Sequence, residues 1–214
     1  MMKNIENTLR ETGIVPVIKI SDAGRAVDLA KALCAGGMPV AEVTFRTDAA
    51  AESIYKMREA CPEMVVGAGT ILTMGSLDAA LTAGAQFIVS PGLNPVIVEA
   101  ALAKDVPVVP GCMTPTEIEM AMALGLEFVK FFPAEAAGGV KFLKAVSAPY
   151  AGIRFMPTGG ISMKNAADYL ALPCVVCCGA SFIASDEQIM NGKFDEIKET
   201  ARQAKKLMMD VREN

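Results

Sequence analysis

The chain has 214 residues, 52% of them hydrophobic, with a formal net charge of −4 and a sequence pI near 5.0. That length suits one substantial core, and no apolar run reaches the roughly 18 residues that cross a bilayer. The acidic balance supplies no field to hold a phosphate backbone, so membrane and nucleic-acid partners are excluded, and residues 1–214 are read as a single domain.

In chain order, residues 1–13 carry Ile5 and Leu9 as a narrow apolar stripe beside Glu6, Arg10 and Glu11. This is a short amphipathic helix and not the apolar stretch of a secretory leader. Short β-branched runs then recur at 14–20, 39–46, 64–68, 86–90, 107–110, 127–132, 153–157 and 174–179. Ala-rich amphipathic stretches separate them at 22–35, 48–60, 77–83, 95–103, 116–124, 140–146 and 166–170, and 187–211 closes the chain. Eight strands alternating with helices predict an α/β fold with a parallel sheet, closed as a (β/α)8 TIM barrel with an N-terminal helix. The doubly wound open sheet is the runner-up. It is disfavoured because Gly67-Ala68-Gly69 follows the third strand and lacks the later glycine of a dinucleotide fingerprint.

Two residue classes narrow the chemistry. Histidine is absent, which removes His triads, His general bases and His-containing zinc motifs. Six cysteines lie in apolar surroundings without a disulfide framework, so free thiols and a reducing, cytoplasmic setting are expected. Cys174 and Cys177 match a redox spacing, but strand alternation sends their thiols to opposite faces, and both are read as core residues.

In a barrel, reacting groups belong at the C-terminal ends of the strands. The sixth strand puts Phe128, Lys130 and Phe132 on one face, a lysine in an apolar run. It is either one half of a structural ion pair or an amine nucleophile. On the second strand Glu42, Thr44 and Arg46 share a parity, which would line the interior with polar groups. Glu42 is then either the counter-ion of Lys130 or a proton shuttle, and Arg46 suits a bidentate grip on a substrate carboxylate. After the seventh strand comes Pro157-Thr158-Gly159-Gly160-Ile161, and after the eighth Gly179-Ala180-Ser181. Backbone N–H groups and hydroxyls at these two positions make an anion cradle, with Thr70 as a further hydroxyl.

Five motifs in order and spacing, Glu42-Val43-Thr44-Phe45-Arg46-Thr47, Gly67-Ala68-Gly69-Thr70, Ser90-Pro91-Gly92, Lys130-Phe131-Phe132-Pro133-Ala134-Glu135 and Pro157-Thr158-Gly159-Gly160-Ile161, resemble the KHG/KDPG aldolases over essentially the whole chain. These are class I aldolases that split 2-keto-3-deoxy-6-phosphogluconate (KDPG) or 4-hydroxy-2-oxoglutarate on a (β/α)8 barrel. The resemblance implies a Schiff-base lysine at Lys130, a general acid/base at Glu42 and a pyruvoyl-carboxylate grip from Arg46 and Thr70. Phosphate falls to Gly159, Gly160 and Ser181, while Pro91, Phe132 and Thr158 lie in the matched motifs and are counted as substrate-binding. Lys19, inward by parity with Val15 and Val17, is either a further cation for the anionic tail or a solvated strand-end lysine. The resemblance also implies no cofactor, no metal, a phosphorylated 2-oxo acid as partner and a homotrimer. Ala180 stands where the family often has glycine, so its methyl is expected to crowd the phosphate. Phe45 and Phe182 stand where Leu and Trp are common and are expected to alter packing. The alternatives are the aldolase for the C4 epimer derived from galactonate and a non-catalytic sugar-phosphate-binding barrel.

Overall fold

A computed structural model describes residues 2–213. The N-terminal helix α1 (Met2–Thr12) leads into strictly alternating units, with Met1 of the expected segment outside the described residues. The units are β1 (Ile14–Ile18), α2 (Ala26–Ala35), β2 (Val40–Thr44), α3 (Ala50–Ala60), β3 (Val65–Gly69), α4 (Met74–Thr82), β4 (Ile88–Val89) and α5 (Pro95–Leu102). There follow β5 (Val108–Val109), α6 (Pro115–Ala123), β6 (Phe128–Phe131), α7 (Gly139–Ser147), β7 (Arg154–Pro157), α8 (Ala166–Leu170) and β8 (Cys178–Ala180), then α9 (Asp186–Met190) and α10 (Phe194–Glu213).

Every strand pair is parallel. Six strands run in the order β5-β4-β3-β2-β1-β8, and β6 pairs with β7. Two short links join these sheets. The N–H of Lys130 donates to the Pro110 carbonyl at 2.9 Å and that of Cys112 to the Lys130 carbonyl at 2.8 Å. On the other side Phe155 N–H reaches the Cys174 carbonyl at 2.8 Å, and Val176 N–H reaches the Phe155 carbonyl at 3.0 Å. The first strand thus meets the last and the ring closes, a pairing the open doubly wound sheet does not make.

The elements differ from the expected spans for local reasons. Strands four and five shrink to two residues each, the fifth being flanked by Pro107 and Pro110, which have no N–H to donate. Of 174–179 only the end joins the β1 ladder, because Cys174 to Val176 bond β7 before the chain changes partner at Cys178. The helix expected over 77–83 begins at Met74 because Thr73 and Ser76 form a capping box. The closing helix is two helices, parted at Asn191-Gly192, where Gly192 takes φ 68.

Strand alternation sorts the apolar side chains into two layers. Val15, Val40, Phe87, Val89, Val109, Phe128, Met156, Val176 and Cys177 fill the barrel with Ile5 and Leu9 of α1. Residues of opposite parity, such as Val43, Val129, Phe131 and Phe155, pack outward against the helices. Helix α1 therefore plugs the N-terminal end of the barrel. It is pinned there by Glu6, whose Oε1 lies 2.8 Å from Arg154 Nε, while Arg154 also reaches Glu127 at 3.1 Å. No helix among the described residues is long and apolar enough to cross a membrane.

Candidate active site

Alternation along β6 sends Val129 and Phe131 into the outer layer and Phe128 and Lys130 inward. Phe131 stacks on Phe142 of α7 with ring centroids 5.8 Å apart, which fixes the roll of the strand. Lys130 is 5% exposed and its Nζ lies 3.3 Å from Glu42 Oε1, with the Phe132 ring centroid 5.3 Å away. Glu42 is fully buried, and among the described residues its second oxygen, Oε2, has no hydrogen-bond partner. An unpaired buried carboxylate oxygen is costly, and it is an acceptor held ready for an incoming hydroxyl or water.

Room for these polar groups comes from glycine. A Cβ on Gly69 would lie 2.2 Å from Glu42 Oε1, one on Gly111 2.0 Å from the Pro91 carbonyl oxygen, and one on Gly179 2.3 Å from Thr158 Oγ1. Bulky branched residues fill a barrel to its rim in the usual case. Here the upper layer alternates glycine with Glu42, Lys130 and Thr158, and the C-terminal end of the barrel stays polar. Gly69 and Gly111 were not singled out for this space from sequence, because periodicity names a face and not the atoms across it.

The remaining expected residues gather at the same end with varied engagement. Thr70 follows β3 at φ 59, a left-handed backbone that is strained for a β-branched residue, and among the described residues its hydroxyl has no partner. Pro91 lies in the turn after β4, stapled by Ser90 Oγ donating to the Gly92 carbonyl at 2.8 Å. Thr158 is buried, with its hydroxyl 3.4 Å from the Met156 carbonyl, and it bridges to Gly179. Gly159 and Gly160 take φ 97 and 79 in succession, a turn that side-chain-bearing residues resist, and Ser181 is exposed just past β8.

Two expectations are corrected. The polar trio on the second strand does not stay together: Glu42 and Thr44 are buried on β2, Thr44 giving its hydroxyl to the Ile18 carbonyl at 2.9 Å, whereas Arg46 lies beyond the end of β2, exposed. Arg46 borders a cleft of about 490 Å³ with Phe45, Thr47 and Ser76, and among the described residues it has no ion-pair partner. Lys19 lies exposed just past the end of β1, where Asp186 at the start of α9 takes its ammonium at 3.2 Å and the Ser21 hydroxyl at 2.9 Å. Burial works to raise the Asp186 carboxyl, but the bonds from Ser21 and Lys19 outweigh it and hold the pKa below the usual value. Ala180 is buried in the outer layer with Cys178, so its methyl points at the helices and away from the barrel interior.

The thiols sit apart from this arrangement. Cys34 and Cys61, with Glu63, meet where α2 and α3 end, at the opposite end of the barrel from Lys130. Burial first, then Cys61 and Glu63, push the Cys34 thiol up to about 12, and burial with Glu117 does the same to Cys112. Cys174, in the turn before β8, packs on the outer layer and Cys177 in the interior, so the two thiols lie apart, although adjacent Val176 and Cys177 both face inward and strict alternation does not hold across this stretch.

Comparison with known proteins extends the picture. Residues 5–200 match the family model for KDPG and KHG aldolase. The KHG/KDPG aldolase of Escherichia coli K12 is 45% identical over 199 residues, 93% of each chain. The solved KDPG aldolase of Legionella pneumophila, with pyruvate captured at low pH as a covalent carbinolamine, superposes with a TM-score of 0.88 at 38% identity, covering 92% of this chain and 96% of that one. The Zymomonas mobilis enzyme with 3-phosphoglycerate gives 0.87 at 38% identity, covering 95% and 96%.

Proposed function

This chain belongs to the KDPG and KHG aldolase family of Schiff-base lyases, and from that premise we propose that Lys130 carries an imine through which KDPG is cleaved to pyruvate and glyceraldehyde 3-phosphate. Cleavage of 4-hydroxy-2-oxoglutarate to pyruvate and glyoxylate follows the same course. The observation that supports these roles is the buried Lys130 amine 3.3 Å from a carboxylate whose other oxygen is unpartnered.

The amine must shed a proton before it attacks, and Glu42 is the base within reach. Lys130 Nζ adds to the ketone carbon and water leaves, giving an iminium that draws electrons from the neighbouring bond. Glu42, relayed by a water, removes the proton from the C4 hydroxyl. The C3–C4 bond breaks, the aldehyde departs, and the enamine is protonated and hydrolysed to pyruvate. Arg46, free of internal carboxylates, and Thr70 hold the substrate carboxylate so that the ketone lies over the amine. The Gly159-Gly160 turn and Ser181 receive the phosphate, far from the bond being broken, where its binding energy serves positioning. The assembly proposed is a homotrimer in a reducing cytoplasm. Exposed Tyr55, Leu72, Met74 and Val96 on and beside α3, α4 and α5 are apolar surface for subunit contact, and sedimentation should give three times 22.5 kDa.

The test is borohydride reduction in the presence of pyruvate, followed by peptide mapping. A stable adduct on Lys130 is expected, and labelling at Lys144 or Lys19 instead would overturn the assignment. Ser181→Asp should weaken KDPG far more than 4-hydroxy-2-oxoglutarate, because a carboxylate there repels the phosphate. An equal fall for both substrates would place the phosphate elsewhere.

A further inference from the structure

The Lys130 strand leaves the barrel through Pro133, Ala134 and Glu135, and this exit is tied directly to the glycine turn after β7. Ala134 N–H donates to the Thr158 carbonyl at 2.8 Å and Glu135 N–H to the Gly159 carbonyl at 3.1 Å. The Glu135 side chain then runs beneath the turn. A Cβ on Gly160 would lie 2.6 Å from Glu135 Cβ and Cγ, so the aliphatic stem of Glu135 backs Gly160 in close contact. The carboxylate itself continues past the turn. Its Oε1 lies beside Gly139, where an added Cβ would be 3.2 Å from that oxygen and 3.4 Å from the Tyr169 hydroxyl. The Tyr169 hydroxyl donates to this Oε1 in a short hydrogen bond. Tyr169 is fully buried in α8, the helix that follows the glycine turn, and burial first and then Glu135 push its hydroxyl's pKa up, so it stays a donor.

A carboxylate beneath an anion cradle is a liability, since like charge repels a phosphate across a few ångströms. We propose that Tyr169 is a positioning residue for the phosphate site: its hydroxyl draws the Glu135 carboxylate aside to the α7 and α8 ends, leaving only the uncharged stem of Glu135 under Gly160. Glu135 acts as a spacer that sets the height of the turn, and Tyr169 keeps its charge out of the cradle. The proposal rests on the reading of Gly159, Gly160 and Ser181 as the phosphate site.

Tyr169→Phe keeps the buried ring and removes the hydroxyl alone. Its KM for KDPG and its inhibition constant for inorganic phosphate should rise roughly tenfold, the scale of one hydrogen bond to a charged group. The kcat and both constants for 4-hydroxy-2-oxoglutarate, which has no phosphate, should stay at wild-type values. Adding Glu135→Gln to Tyr169→Phe removes the freed charge and should restore the KM for KDPG. Glu135→Gln alone keeps the acceptor without the charge and should leave that KM at or below the wild-type value, a test that stands even if the Tyr169 variant does not fold. An equal change for both substrates, a KM for KDPG that the double variant fails to restore, or a rise with Glu135→Gln alone would overturn the proposal. Inorganic phosphate on the wild-type protein separates this from its premise. Failure to compete with KDPG refutes the phosphate site itself, whereas competition that Tyr169→Phe leaves unchanged refutes the role of Tyr169 alone.

Discussion

A carboxylate meets a cation at each end of this barrel, and the function proposed above gives the two pairs opposite uses. At the N-terminal end Glu6 of α1 holds Arg154 at 2.8 Å, and Arg154 is also bonded by Glu127. A guanidinium keeps its proton at any physiological pH, so this arrangement can only fasten α1 over the barrel mouth. At the C-terminal end Glu42 meets Lys130 at 3.3 Å, and among the described residues its other oxygen is unbonded. An amine can give up its proton and form a bond to carbon. On the proposed reading, an ion pair can serve chemistry when its cation is deprotonable and its anion is left partly unsatisfied.

The comparison breaks most sharply at Lys130. Lys130→Arg preserves a cation opposite Glu42 but removes the nucleophile, so cleavage should fall by about 10⁴-fold or more while the circular-dichroism spectrum is retained. Measurable turnover near the wild-type rate would return Lys130 to the status of Arg154. Glu42→Gln comes next: pyruvate trapping on Lys130 should persist in part, with carbon–carbon cleavage slowed by roughly 10²–10⁴-fold, the range for a general acid–base group. If cleavage survives intact, Glu42 merely accompanies the lysine.

At the other end the expected effect is on stability. Arg154→Met should cost about 1.5–3 kcal/mol, the worth of hydrogen bonds to charged groups, and lower Tm by roughly 3–10 °C. The kcat/KM should stay within about twofold of wild type, since nothing at this end touches the reacting atoms. A large loss of activity with unchanged Tm would collapse the distinction between the two ends.

The smallest effect tests how the catalytic end is framed. Burial works to raise the Glu117 carboxyl, but hydrogen bonds from the Met113 and Thr114 N–H groups and the Thr114 hydroxyl hold it below its usual pKa. A depressed folded value means the contribution is present above the unfolded pKa of about 4.3 and is lost as pH falls through the folded value. Thr114→Ala removes the cap of α6 and should cost about 1 kcal/mol at pH 7. Urea melts of both proteins should converge as the pH is lowered below 4, and a gap that widens on acidification would contradict the sign.

Much of this was legible in the order of residues. Alternating apolar runs and amphipathic stretches announced eight β/α units, because a parallel strand and its covering helix impose different periods on the chain. The same alternation put Phe128 and Lys130 on one face and Val129 and Phe131 on the other, and the closed barrel made the first of these the interior. Consecutive glycines after the seventh strand marked a candidate anion cradle at that strand's end. Strand ends were less legible, since a ladder stops where its neighbour or a proline stops it. Arg46 was given a place inside the barrel that β2 is too short to reach.

By itself, then, the sequence determined the alternation of elements, which residues of a strand share a face and the residue types available for chemistry. It did so because those properties depend on neighbours a few positions away. Only the tertiary structure decided that Glu42 and Lys130, 88 positions apart, meet at 3.3 Å with one oxygen left over. It alone gave Lys19 to Asp186, turned the Ala180 methyl toward the helices, and made Gly69 the space into which Glu42 fits. These are contacts between atoms remote in the chain, and their distances exist only once the ring of strands has closed.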